Sequence, residues 1–319
     1  MFYKEKHINF ITSLLDAQGH VTNVLAEHLK MNGLYWALSA LDLLDALPQD
    51  EQRDFIREFV FSCFNDDGGF GGAKNHDSHI LTTCSAVQIS AILGFIHELD
   101  KDKIVEFIAS LQKEDGSFTG DRYGEVDTRF SLCATLVLSL FDSITKINVD
   151  KAASFIKECR NWDGAFGQVP GSESHGGQIF CCVGSLIHLN RMDVIEKDKL
   201  IWWLCERQTE SGGLCGRPEK DPDVCYSWWN LSAIAALNAT EAISTEALIR
   251  FILKSQDDEK GGIADSPDNV ADVYHTNFGI AGLSLMHFPD IHQQINPEFA
   301  LTERALRTVP YLSHRKSPT

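Results

Sequence analysis

The segment that decides the fold runs from Phe55–Phe64 through Asp67-Gly-Gly-Phe70 to Ile80–Ile96. Phe55–Phe64 places apolar residues three and four apart, as a helix buried on one face requires. Ile80–Ile96 is apolar nearly all round, the pattern of a helix covered on every side. The Gly pair between them is expected to end the first helix and to supply backbone freedom for the turn.

This unit recurs along the chain. Asp115-Gly-Ser-Phe118, Asp163-Gly-Ala-Phe166, Ser211-Gly-Gly-Leu214 and Lys260-Gly-Gly-Ile263 repeat the tract, with final residues at 70, 118, 166, 214 and 263. Amphipathic runs precede them at Val105–Leu111, Ala153–Cys159, Leu200–Cys205 and Leu248–Leu253. More apolar runs follow at Phe130–Phe141, Ile179–Leu189, Trp228–Leu237 and Phe278–Met286. One further pair fits around His7–Leu15 and Gly33–Leu44, so the reading is an all-α chain of six helical hairpins with no convincing strand. Such a row either stays an open solenoid or closes on itself. Second helices as apolar as Cys84–Leu93 favour closure, giving an α/α toroid of six inner and six outer helices. The open solenoid is the alternative. With no linker and no shift in composition, residues 1–319 read as a single domain.

Composition excludes several function classes. The 28 Lys and Arg stand against 45 Asp and Glu, a net charge of −17 in 319 residues. That balance argues against nucleic acid or an anionic membrane surface as the main partner. The longest apolar runs, Ile179–Leu189 and Cys84–Ile96, are too short or too polar for a membrane span. Met1–His7 lacks the apolar run of a secretory signal. Most of the nine cysteines lie inside apolar helical runs and read as reduced thiols of a cytoplasmic protein.

The starts of the inner helices carry the chemistry. Asp77-Ser-His79, Asp127-Thr-Arg129, Glu173-Ser-His175, Asp223-Val-Cys225 and Asp272-Val-Tyr274-His275 each open on an acid suited to capping a helix. Two residues later stands His, Arg, His, Cys, or Tyr followed by His. In a closed ring these positions converge on one rim, where helix N-termini also favour an anion. Asp223, Cys225 and His275 are candidate metal ligands, since carboxylate, thiolate and imidazole suit Zn²⁺ and three protein ligands leave its fourth position open. From spacing alone this signal is weak, since no CxxC or HExxH pattern is present, and a buried cysteine with a capped histidine is the alternative. Arg217 and Lys220 lie just upstream, where two cations suit a phosphate or diphosphate. Aromatic residues concentrate on the inner helices, among them Tyr35, Trp36, Phe130, Phe180, Trp228, Trp229 and Phe278. An apolar axial space with a cationic mouth fits an amphiphile bearing a diphosphate.

These residues resemble the β subunits of the protein prenyltransferases, and within them the Rab (type II) geranylgeranyltransferases. The most specific stretch runs from Cys205-Glu-Arg-Gln208 through Gly216-Arg-Pro-Glu-Lys220 to Asp223-Val-Cys-Tyr-Ser-Trp-Trp229, supported by Gly124–Phe130 and Tyr274-His-Thr276. The resemblance implies one Zn²⁺ on Asp223, Cys225 and His275, with catalytic diphosphate contacts from His175, Arg217, Lys220 and Tyr226. It implies geranylgeranyl diphosphate binding that extends to Gly176, Gly177, Ser227, Trp228, Trp229, Asn32, Trp36 and Arg129. Asn32 replaces a bulky ring of the farnesyl-transferring relatives and suits a twenty-carbon chain. Asp265 matches a carboxylate linked to Mg²⁺ in those relatives, which leaves room for Mg²⁺ beside Zn²⁺. Asp221 departs from an apolar loop position without disturbing the ligand spacing. The implied partners are a prenyltransferase α subunit, a Rab escort protein and Rab GTPases bearing C-terminal cysteines. Alternatives are a type I or farnesyl-transferring subunit acting on CaaX proteins, and a non-catalytic or cyclase-like isoprenoid toroid. No DxDD cyclase motif is present.

Overall fold

The computed structural model describes residues 1–16 and 26–312. Twelve of the α-helices among them form six consecutive pairs: α1 (Lys4–Asp16) with α2 (Lys30–Leu43), α3 (Asp50–Ser62) with α4 (Ile80–Leu93), α5 (Lys101–Ser110) with α6 (Thr128–Leu140), α7 (Val149–Glu158) with α8 (Gly176–His188), α9 (Lys197–Cys205) with α10 (Tyr226–Ala236), and α11 (Thr245–Lys254) with α12 (Val273–Leu285). The second helix of each pair is buried along most of its length, while the first buries one face. Each second helix packs on its predecessor and successor, and α2 packs on both α4 and α12. The row therefore closes into an α/α toroid, and the open solenoid is set aside.

The seam between first and last pairs reuses a contact found inside the ring. Gln112 and Gln208 each exchange two hydrogen bonds with the backbone just before the next outer helix, at Asn148 and Ser244, over 2.8–3.0 Å. At the equivalent position Gln256 accepts from Tyr3 N–H at 3.1 Å and donates to the Met1 carbonyl at 3.1 Å. His7, fully buried in α1, completes the seam by accepting from Gly262 N–H at 2.9 Å and donating to Gln256 Oε1 at 2.9 Å.

The repeated glycines act differently from the sequence expectation. The outer helices end several residues earlier, as α3 does at Ser62, with Cys63 still right-handed at its cap. The glycines instead shape the turn that follows. Gly68 has φ +90°, and a Cβ there would lie 2.3 Å from the Lys103 carbonyl oxygen of the next outer helix. Gly261 repeats this across the seam with φ +80° and only 2.2 Å to the Lys6 carbonyl. Each turn thus demands both a left-handed residue and one without a side chain.

The inner helices all start at one end of the ring, which forms the mouth. The other end is sealed by the chain after α12, for which the sequence offered no element. There Ile295–Asn296 pairs antiparallel with Leu301–Thr302, followed by the short helix α13 (Glu303–Leu306). The seal is bolted down through Asp42, 1% exposed, which accepts from Arg304 Nε at 2.7 Å and from the Thr302 hydroxyl. Arg304 and Thr308 also donate to the last carbonyls of α4, at Ile92 and Ala91. Among the described residues no helix is long and apolar enough to cross a membrane.

Candidate functional site

Successive rim loops of the mouth are joined by backbone hydrogen bonds. Met31, Ile80, Thr128, Gly176 and Val224 N–H each donate to a carbonyl of the next rim loop: Gly72, Gly120, Gln168, Gly216 and Asp265. The structural repeat also corrects the register read from sequence. The equivalent residues are His79, Asp127, His175, Asp223 and Asp272. Each accepts a backbone N–H two or three residues on, from Leu81, Arg129, Gly177, Cys225 and His275 over 2.7–3.1 Å. His79 and His175 therefore cap their helices themselves, whereas Asp77 and Glu173 remain solvent-facing. Caps and neighbouring loops thus take early N–H groups at these helix starts, so side chains of the rim are the stronger candidates for contacting an anion.

Asp223, Cys225 and His275 are brought together. Their carboxylate, thiol and imidazole donor atoms all lie within 4.8 Å of one another. His275 Nε2 is 3.4 Å from Asp223 Oδ1, while its Nδ1 is 2.6 Å from Asp272 Oδ2. Asp272 thus caps α12 with one oxygen and orients the histidine with the other, as a metal-bound imidazole is held by an outer carboxylate. Sequence reading gave Asp272 only the capping role, although an acid three residues before a candidate ligand at a helix start carries both. Burial alone would depress the His275 pKa, but Asp223 and Asp272 outweigh it and raise it to about 9. Burial, reinforced by Asp223, pushes the Cys225 thiol well up. A buried thiol beside a carboxylate and an oriented imidazole is a donor set that fits Zn²⁺.

The second cluster lies beside it. Tyr226 Oη is 3.1 Å from His175 Nε2, and a Cβ on Gly216 would come within 2.2 Å of that hydroxyl. His175 Nδ1 accepts the Gly177 N–H, so the neutral ring carries its proton on Nε2 and donates it to the Tyr226 oxygen. The tyrosine's own O–H then remains to donate outward. Burial, and after it Arg217, lowers the His175 pKa and favours this neutral form. Arg217 is ion-paired with Glu173, a partner not foreseen from sequence, and Lys220 lies exposed in the same loop.

The remaining expected residues divide. Trp36, Tyr274, Phe278, Trp229 and Phe180 form a continuous aromatic wall with successive ring centroids 4.4–5.0 Å apart. Asn32 is half-buried at the start of α2, and next to it a Cβ on Gly33 would meet nothing within 4 Å. Gly177 is similarly open toward the interior, touching only the His175 ring. Ser227 and Trp228, however, are 0% and 1% exposed and belong to the packing between inner helices. Gly176 is likewise a packing residue, since a Cβ there would lie 1.9 Å from Asn230 Oδ1. Arg129 is bound to Asp127 through Nε at 2.7 Å and stands two inner helices away from α10. Asp265 Oδ1 already accepts from Ser266 N–H and Asn269 Nδ2. Asp265 also lies outside the cluster formed by the three ligand candidates.

A closed helical ring that gathers a carboxylate, a thiol and an imidazole at its mouth, beside an aromatic wall, defines an α/α toroid with a candidate metal centre. The chain belongs to the prenyltransferase family, residues 2–301 matching the prenyltransferase alpha-alpha toroid domain. It is 48% identical over 295 residues to the geranylgeranyl transferase type-2 subunit beta of Saccharomyces cerevisiae, covering 90% of each chain. With subunit beta 1 of the same transferase from Arabidopsis thaliana it shares 55% identity over 297 residues, 93% of this chain and 92% of that one. Its fold superposes with a TM-score of 0.88 on Candida albicans protein geranylgeranyltransferase-I complexed with GGPP, at 24% identity and covering 97% and 98% of the two chains.

Proposed function

We propose that this chain is the catalytic β subunit of a zinc-dependent protein geranylgeranyltransferase of type II, working as a single cytoplasmic domain with an α subunit. It moves a geranylgeranyl group from geranylgeranyl diphosphate to C-terminal cysteines of Rab GTPases presented by an escort protein. The observation that carries this reading is the convergence of Asp223, Cys225 and His275 at the mouth. The names of the 48% and 55% identical relatives support the type.

Asp223, Cys225 and His275 would hold Zn²⁺, whose Lewis acidity would let an acceptor thiol lose its proton to solvent near neutral pH. The chain's other residues bind, orient and neutralise. The aromatic wall from Trp36 to Phe180 takes the isoprenoid, and the small Asn32 side chain suits a twenty-carbon chain. The acceptor sulfur bonds to C1 as the C1–O bond to diphosphate breaks, and the leaving group gains negative charge. Arg217 and Lys220 offset that charge, and the Tyr226 hydroxyl donates to it, with His175 fixing the hydroxyl's direction. Asp272 keeps His275 in the orientation and tautomer that offer Nε2 as a ligand.

The test is transfer of labelled geranylgeranyl by the purified α/β complex to an escort-bound Rab protein. Transfer that stops after metal chelation and returns with Zn²⁺ supports the reading. Transfer that survives complete metal removal overturns it.

A further inference from the structure

One acidic side chain sits among the cations and donors of the mouth. Glu173 opens the rim segment Glu173-Ser-His175, and its carboxylate is ion-paired with a terminal guanidinium nitrogen of Arg217 in the next rim loop. Two other contacts already tie the same loops. Gly176 N–H donates to the Gly216 carbonyl at 2.8 Å, and His175 Nε2 is 3.1 Å from Tyr226 Oη. The ion pair is therefore not needed to hold the loops together. Its side chains are 61% and 40% exposed, and pairs as exposed as this add little to stability.

The pair stands at the diphosphate contacts rather than away from them. Both of its charges reach the His175 ring: after burial, Arg217 lowers the His175 pKa and Glu173 raises it. The backbone beneath Arg217 is held in place. Its carbonyl accepts from the Cys215 thiol at 3.3 Å, Pro218 sets the following φ, and Glu219 is left-handed at φ +61°. The guanidinium thus turns on a fixed anchor, toward whichever anion is in reach. A carboxylate and a phosphate each offer a guanidinium two oxygens, so they compete for the same face of it. With the mouth empty, Glu173 takes the place of that anion. An incoming diphosphate has to displace it, and a departing diphosphate is replaced by it.

We propose that Glu173 is a resident counter-ion of the mouth: a positioning residue that acts through Arg217, holding it over the empty site and competing with diphosphate for it. The inference rests on the diphosphate reading of Arg217 given above. Glu173 weakens the grip on the substrate and, by the same competition, on the diphosphate that is left behind.

The test measures the affinity of the α/β complex for geranylgeranyl diphosphate and for geranylgeraniol, which shares the hydrocarbon and lacks the charge. Glu173→Gln removes the carboxylate's charge at constant shape on an exposed position. The diphosphate should then bind about threefold to fivefold more tightly, the scale of an exposed ion pair, while geranylgeraniol binding stays as in the parent. Inhibition by inorganic diphosphate should strengthen by the same factor. In an Arg217→Ala background most of that gain should disappear, because the two residues act as one unit. Equal or weaker diphosphate binding in Glu173→Gln overturns the counter-ion, and so does an equal tightening of geranylgeraniol. A gain that persists in full without Arg217 overturns the route through that residue. A parent complex that binds neither ligand overturns the isoprenoid reading itself, and the counter-ion with it.

Discussion

The two ends of the same six inner helices treat polar groups in opposite ways. At the sealed end they are matched to one another: Asp42 to Arg304 and Thr302, and the carbonyls of Glu298, Phe299 and Ala300 to His188, Gln88 and Tyr35. At the mouth the backbone is satisfied in the same thorough way, yet side chains keep capacity directed into the opening. Asp223, Cys225 and His275 present donor atoms to a common point, and Tyr226 retains an outward hydroxyl. One end uses polarity to hold the ring shut, while the other leaves polar side chains gathered around an opening.

That contrast separates the effects of substitution. Cys225→Ala should abolish transfer while shifting the denaturation midpoint little, because removing one small side chain at the mouth costs at most about 2 kcal/mol. A collapse in stability equal to the loss of activity would break the contrast. Asp42→Ala should do the reverse. It takes the carboxylate from Arg304, which stays partly exposed and bonded to the Ile92 carbonyl, and the acceptor from the Thr302 hydroxyl, and should lower stability by about 1–3 kcal/mol in chemical unfolding, with transfer per folded molecule intact.

Smaller effects sharpen the division within the mouth. Tyr226→Phe and Arg217→Ala should each slow single-turnover transfer, by about 10²–10³-fold if the donor acts on the leaving group. The Arg217 change should also weaken diphosphate binding. Unchanged single-turnover rates would remove these residues from the chemistry. Asp272→Ala should weaken Zn²⁺ binding by about 10–100-fold in a chelator competition, as expected when the carboxylate orienting a ligand is lost.

The smallest effect concerns the seam. Burial depresses the His7 pKa, outweighing its hydrogen bond to Gln256. Its neutral form accepts from Gly262 N–H, so its contribution to stability is fully present above about pH 6.5 and is lost as pH falls through the lower folded value. The urea midpoint should fall as the pH drops below about 6.5, and His7→Gln should flatten that slope. Equal slopes in both proteins would show that other groups set the acid limit.

Much of this was legible in the sequence for a definite reason. Spacings of 48 or 49 residues mark five of the six turns and the inner-helix starts after them, so the hairpin repeat and its mouth follow from spacing, closure from the apolar second helices, and the ligand set from the resemblance. The register within the mouth did not, because His79 and His175 cap helices with ring nitrogens where Asp127 and Asp223 use carboxylates, which hides their equivalence by residue type. Gly176, Ser227 and Trp228 sit beside residues that face the opening, and only helix packing separates the two groups. The sealed end was invisible. Strands of two residues and a left-handed alanine leave no periodic pattern to read.

The central claim is that the mouth holds a metal on Asp223, Cys225 and His275. Its most direct test is the elemental zinc content of the purified α/β complex beside that of Cys225→Ala. Close to one zinc per complex is expected in the parent, and its loss in a variant that remains folded. A folded parent complex without zinc, or a variant that keeps a full equivalent, would contradict it.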